Sequence, residues 1–208
     1  MAYGTEQNDS DPPDPSRWDI TIRRFEAEDA GGRVPQGRIL FVGSSSITRW
    51  DLPRYFARDD LINRGFGGSL LAEVAELCER YVIAPRPRQI VLYAGDNDLA
   101  FGRTAGQVLE AYLQFVTKVR AALPHVPILF VSIKPSPSRR ALMDTMREAN
   151  ALIEAETQDD AAAEYLDVFA PMLAGDGEPR PELFVDDRLH LSHEGYLLWA
   201  ELIGPWLK

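Results

Sequence analysis

Cysteine is almost absent from this chain, with Cys78 alone among 208 residues. That excludes an internal disulfide and any CxxC metal clip, and within SLLAEVAELCERY the residue reads as a small buried apolar side chain of a helix. Basic charge is also scarce: 22 Lys and Arg stand against 32 Asp and Glu, a formal net charge of −10. With no basic stripe to neutralise phosphates, nucleic acid is not an expected partner, and small neutral or cationic molecules are easier to accommodate. No apolar run approaches the ~20 residues of a membrane span. The first residues, MAYGTEQNDSDPPDP, have neither the basic start nor the apolar core of a signal peptide, so a cytoplasmic location is the expectation. Histidine occurs only three times, which makes each one worth weighing.

What is present suits one well-buried domain. Residues 1–16 are polar, acidic and proline-rich and are expected to be a disordered tail, leaving 17–208 as a single domain. Trp18, Ile22 and Phe25 form one apolar stripe of a helix running to Ala30, and the glycines and proline at 31–37 break the chain. Short apolar runs then alternate with helical patterns. Strands are expected at 39–42, 61–63, 89–94, 128–133 and 165–168, and helices as a short piece within 51–60, after Ser69 (the expected cap of that helix), from Thr104, over 139–157 and at the carboxyl end. Five alternations predict a three-layer α/β/α sandwich around a mostly parallel five-stranded sheet, in which the loops after the first three strands open on one edge. Those loops are the ones rich in Gly, Ser and Asn.

The stretch at 37–50, GRILFVGSSSITRW, takes a buried strand into a glycine, three serines and a helical restart. Carboxyl ends of strands are where open α/β sheets bind ligands, and Ser45 is the candidate nucleophile. A serine nucleophile needs an imidazole base, a carboxylate to hold it and donors for an oxyanion. His125 lies in a loop between Pro124 and Val126 and reads as solvated, whereas His193 follows Ser192 at a helix start and reads as a surface or capping group. His190 has Asp187 three residues before it, a spacing that can bring a carboxylate beside an imidazole in a turn. Asn97 at the end of the third strand offers a neutral NH₂ donor, and Gly68 after the second lets a backbone N–H face a substrate closely. Taken alone, either is equally a turn residue.

Four blocks in order, VGSSS, NRGFGGS, YAGDND and DDRLH, make the chain resemble the SGNH hydrolases, the superfamily of the GDSL esterases and lipases. The resemblance runs from FVGSSSI to HLSHEGY. It implies a flavodoxin-like sandwich with Ser45 as nucleophile and His190 as base oriented by Asp187. The oxyanion hole it implies comprises the N–H groups of Ser45 and Gly68 and the side chain of Asn97. The GDSL pattern has aspartate where this chain has Ser44. Alignment on Gly43 makes Ser45 the nucleophile and alignment on the following SIT makes it Ser46; the first keeps strand, glycine and turn in register without a gap.

The implied activity is hydrolysis of carboxylic esters through an acyl-enzyme, with no metal and no cofactor. A small-molecule ester is the expected partner. Because the imidazole must be neutral to act as base, activity is expected to rise with pH. Ile47, Trp50, Phe66, Leu99, Phe101, Leu189 and Leu191 flank the blocks and are candidates for an apolar acyl wall. With no insertion long enough for a lid domain, short acyl chains in an open cleft are the expectation. The alternatives are a carbohydrate O-acetyl esterase or acyltransferase on the same machinery, and a non-catalytic flavodoxin-like module holding phosphate or flavin at the Gly/Ser turn. Natural substrate, oligomeric state and the role of the 171–181 loop stay open.

Overall fold

The computed structural model describes residues 15–208. The expected tail lies outside the described residues except for Pro15 and Ser16, which belong instead to a 3₁₀ turn, Pro15–Trp18. Arg17 of that turn fastens it to the domain through two 2.7 Å bonds to the fully buried Glu73 carboxylate.

Five strands form one sheet: β1 (Ile39–Gly43), β2 (Leu61–Gly65), β3 (Gln89–Tyr93), β4 (Ile128–Val131) and β5 (Ala163–Leu166). Their order is β2-β1-β3-β4-β5 and every pairing is parallel, so the sheet is wholly rather than mostly parallel. Successive strand side chains face opposite sides. Leu40, Val42, Ile90, Leu92, Ile128 and Phe130 point into one core with helices α1 (Asp19–Ala30), α4 (Leu71–Cys78), α6 (Ala105–Ala122) and α7 (Met143–Thr157). Ile39, Phe41, Val91, Tyr93, Leu129 and Val131 point into the other with α8 (His193–Ile203) and the one-turn helices α2 (Ser45–Thr48) and α3 (Leu52–Tyr55). Three layers result, as the alternation of patterns predicts.

β4 stops two residues before the apolar run does. Asn150 of α7 takes over the backbone of Ile133, accepting its N–H at 2.8 Å and donating to its carbonyl at 2.9 Å, so that residue leaves the ladder. The helix expected from 139 starts at Met143, because Pro137–Leu142 winds as a 3₁₀ segment first. Ser69 does not cap α4: its hydroxyl is buried without a partner, and Glu73 reaches back to the Leu70 N–H at 2.9 Å instead. Thr104 does cap α6, accepting from the Gln107 N–H at 3.2 Å while the Gln107 side chain accepts from the Thr104 N–H. Cys78 lies in the core, and burial pushes its thiol up to about 12. The 171–181 loop folds back on itself through a Leu173 to Pro179 bridge.

Candidate active site

With β1 between β2 and β3, the three adjacent strands end side by side at the point where the strand order turns back, the place where such sheets form a crevice. β1 must leave the sheet abruptly to enter α2. Gly43 makes this possible: its φ is +135°, and a Cβ there would lie 1.8 Å from the Tyr93 carbonyl oxygen. Gly65 gives the other close approach, since a Cβ on it would lie 2.5 Å from the Thr48 N. Only glycine fits at either position.

The turn separates the three serines. Ser44 and Ser46 are buried, the first with an unpartnered hydroxyl and the second with its carbonyl accepting from Tyr196 Oη at 2.9 Å. Ser45 opens onto the crevice, where its Oγ lies 3.0 Å from His190 Nε2. His190 Nδ1 lies 2.6 Å from Asp187 Oδ2. The other carboxylate oxygen of Asp187 accepts the N–H groups of Leu189 and His190, both at 2.9 Å. Burial works upward on the Asp187 carboxyl, but the His190 ring and these two N–H groups outweigh it and hold the group well below the usual carboxylate range. It stays an anion beside the imidazole. Arg188, between them, sits at φ +58°, a left-handed conformation few non-glycine residues adopt, which closes the Asp187 to His190 turn tightly enough for the side chains to meet.

Gly68 and Asn97 face the same crevice. Gly68 has φ +83°, and a Cβ there would meet nothing nearer than Trp18 at 4.0 Å, so backbone conformation rather than crowding calls for glycine. Asn97 lies in a one-turn helix, α5 (Asp96–Ala100), where the sequence suggests only a turn. Its Nδ2 donates to the Ser69 carbonyl at 3.0 Å and its Oδ1 accepts from Arg139 Nη2 at 3.0 Å. Together with Thr48, Arg49, Gly67 and Leu189, the residues Ser45, Gly68, Asn97 and His190 line an open cleft of about 560 Å³.

One expectation fails here, and one buried group lies outside the expectations. Of the residues proposed as an acyl wall, only Leu189 lines the cleft; Phe101 is exposed elsewhere, and Ile47, Trp50, Phe66, Leu99 and Leu191 are core residues, because each side chain turns to the packed side of its element. Behind Asn97, a group the sequence reading omits is buried: Asp96, with Lys134 Nζ 3.2 Å and Arg139 Nη1 2.9 Å from the same Oδ2. Burial works upward on Asp96, yet the two cations outweigh it and keep it ionised. These residues come from two segments about 40 positions apart, so no local spacing announces them. His193 is the first residue of α8, its Nδ1 3.0 Å from Tyr55 Oη, while Ser192 caps the helix.

Among the described residues no helix is long and apolar enough to cross a membrane. Among curated proteins no sequence matches the chain. Solved structures do. A protein from Streptococcus pneumonia provisionally described as a platelet activating factor superposes with TM-score 0.84 at 20% identity, covering 93% of this chain and 94% of that one. A GDSL-like lipase from Bacteroides thetaiotaomicron gives 0.76 at 22% identity over 89% and 96%. A carbohydrate esterase family 3 protein from Talaromyces cellulolyticus gives 0.65 at 20% identity over 83% and 96%. At these identities the likeness speaks for the fold. The family assignment comes from the model of the GDSL-like lipase/acylhydrolase family, which matches residues 41–198 and so spans all four blocks. The chain belongs to the GDSL-like lipase/acylhydrolase family and is a carboxylic ester hydrolase.

Proposed function

We propose that the protein hydrolyses short-chain carboxylic esters with Ser45 as nucleophile, His190 as general base and acid, and Asp187 as the group that orients the neutral imidazole and stabilises the imidazolium once it forms. The observation that carries this reading is the 3.0 Å contact between Ser45 Oγ and His190 Nε2, with Asp187 2.6 Å from the other ring nitrogen. Nucleophile, base and orienter are then within hydrogen-bond reach in series. Ser45 Oγ attacks the acyl carbon as His190 Nε2 takes its proton, and the negative oxygen meets the N–H groups of Ser45 and Gly68 and the free amide hydrogen of Asn97. Collapse breaks the ester bond, and the imidazolium protonates the leaving alkoxide. Water then gives a proton to His190 as it attacks the acyl-enzyme, and the imidazolium returns that proton to Ser45 Oγ as the acyl–Oγ bond breaks and the acid leaves.

The short-chain preference rests on the cleft. It is open, and Leu189 is the one large aliphatic side chain on it, beside Thr48, Arg49 and glycine backbone. A long acyl chain would find little apolar surface to cover, at about 0.8 kcal/mol per buried methylene. p-Nitrophenyl esters from acetate to palmitate test this: kcat/KM is expected to peak at two to four carbons, and a peak at long chains contradicts it.

A further inference from the structure

An asparagine amide donates at one end and accepts at the other, so its value to an oxyanion depends on which way it is turned. Two contacts decide this for Asn97. One hydrogen of Nδ2 is spent on the Ser69 carbonyl at 3.0 Å, and Oδ1 accepts from Arg139 Nη2 at 3.0 Å. A flipped amide would set NH₂ against the guanidinium and Oδ1 against a carbonyl, losing both bonds. Arg139 is in turn held by Asp96, the residue before Asn97, with Nη1 2.9 Å from the carboxylate oxygen that Lys134 also approaches. Asp96 and Lys134 are 4% and 1% exposed, so the group is shielded from water and its two cations exceed its one carboxylate. The same segment steadies the other half of the site, because the Ser138 N–H donates to the Arg188 carbonyl at 3.1 Å, between Asp187 and His190.

We infer that Arg139 is a positioning residue of the oxyanion site, aiming and polarising the Asn97 amide so that its free N–H meets the substrate oxygen as that oxygen becomes negative. A cation on the acceptor end draws electron density out of the amide and strengthens the N–H as a donor. The gain grows with the charge on the oxygen, so it falls on the transition state more than on bound substrate. This inference rests on the serine-hydrolase reading above.

A double-mutant cycle with p-nitrophenyl acetate tests it, using Arg139→Met, Asn97→Ala and the pair. Arg139→Met is expected to lower kcat by about 10- to 100-fold, with KM within about 3-fold. In the Asn97→Ala background the same change is expected to cost less than about 2-fold, because the group it acts through is gone. An equal loss in both backgrounds, or no loss in either, overturns the inference. Arg139→Lys covers the case in which the methionine variant does not fold: it keeps a charge beside Asp96 but loses the arm that reaches Asn97. It is expected to lose at least about 5-fold in kcat with Asn97 present and to lose nothing without it, and an equal fold-loss in the two backgrounds, or no loss in either, again overturns the inference. A wild-type enzyme that neither cleaves the ester nor takes up a fluorophosphonate label overturns the serine-hydrolase reading itself, a result distinct from a failed cycle.

Discussion

The residues around the crevice divide by what a short stretch of chain can reveal. Asp187 and His190 are three positions apart and their contact is a local turn, so the pair is legible from spacing. The nucleophile is legible as a block but not as a residue, since three serines in a row look alike until the turn buries two of them. Asp98 was hidden altogether: its partner, the Leu71 N–H at 2.9 and 3.0 Å from the two carboxylate oxygens, is 27 positions away and caps α4 from outside that helix. Burial pushes the Asp98 carboxyl up to about 7, against the pull of that N–H. A carboxyl raised on folding binds its proton more tightly in the native state. Its stabilising contribution is therefore complete below the ordinary 3.8 and is lost as pH rises to about 7. Asp98→Asn keeps an acceptor for Leu71 and removes the titration. Melting temperatures of the two proteins should diverge between these pH values, the wild type falling relative to the variant, and parallel curves would refute the assignment.

At the scale of elements, the strands and long helices were readable because buried strands are apolar runs and amphipathic helices repeat every 3.6 residues. The helical restart after the three serines and the short helix within 51–60 stand as α2 and α3, whereas α5 reads only as a turn, since five residues hold no periodicity. These short pieces carry Ser45 and Asn97, and glycines rather than patterns set their geometry. The glycines separate shape from function. Gly43→Ala puts a methyl into the Tyr93 carbonyl and is expected to cost more than about 4 kcal/mol, leaving little folded protein. Gly68→Ala meets open space, so only the left-handed backbone is penalised, by about 1–2 kcal/mol. Its melting temperature should drop by a few degrees while kcat falls at least about 10-fold, as the Gly68 N–H turns from the crevice. Unchanged kcat in a folded Gly68→Ala protein would remove this N–H from the oxyanion site.

Across the whole molecule, the site is a product of the sheet and of one core in particular. β1, β2 and β3 bring Ser45, Gly68 and Asn97 to neighbouring ends, while His190 arrives about 145 positions later on the loop before α8. That arrival depends on how α8 is seated. Trp199 anchors it, fully buried, with its ring 4.8 Å from Tyr93 and 5.8 Å from Trp50 and its Nε1–H donating to Met172 Sδ at 3.3 Å. Trp199→Ala is expected to destabilise the fold by about 3–5 kcal/mol in denaturant melts. Sequence patterns anticipated the last helix but not this seat, because the ring's partners come from three separate segments. Alternation of patterns gave the three layers, whereas the strand order that makes the crevice is a property of the folded chain.

The central claim is that Ser45 is the serine His190 activates, and covalent labelling by a fluorophosphonate probe tests it most directly. The wild-type protein and Ser46→Ala are predicted to take up one label per chain, and Ser45→Ala none. Labelling that persists in Ser45→Ala, or that disappears in a folded Ser46→Ala protein, would contradict the account.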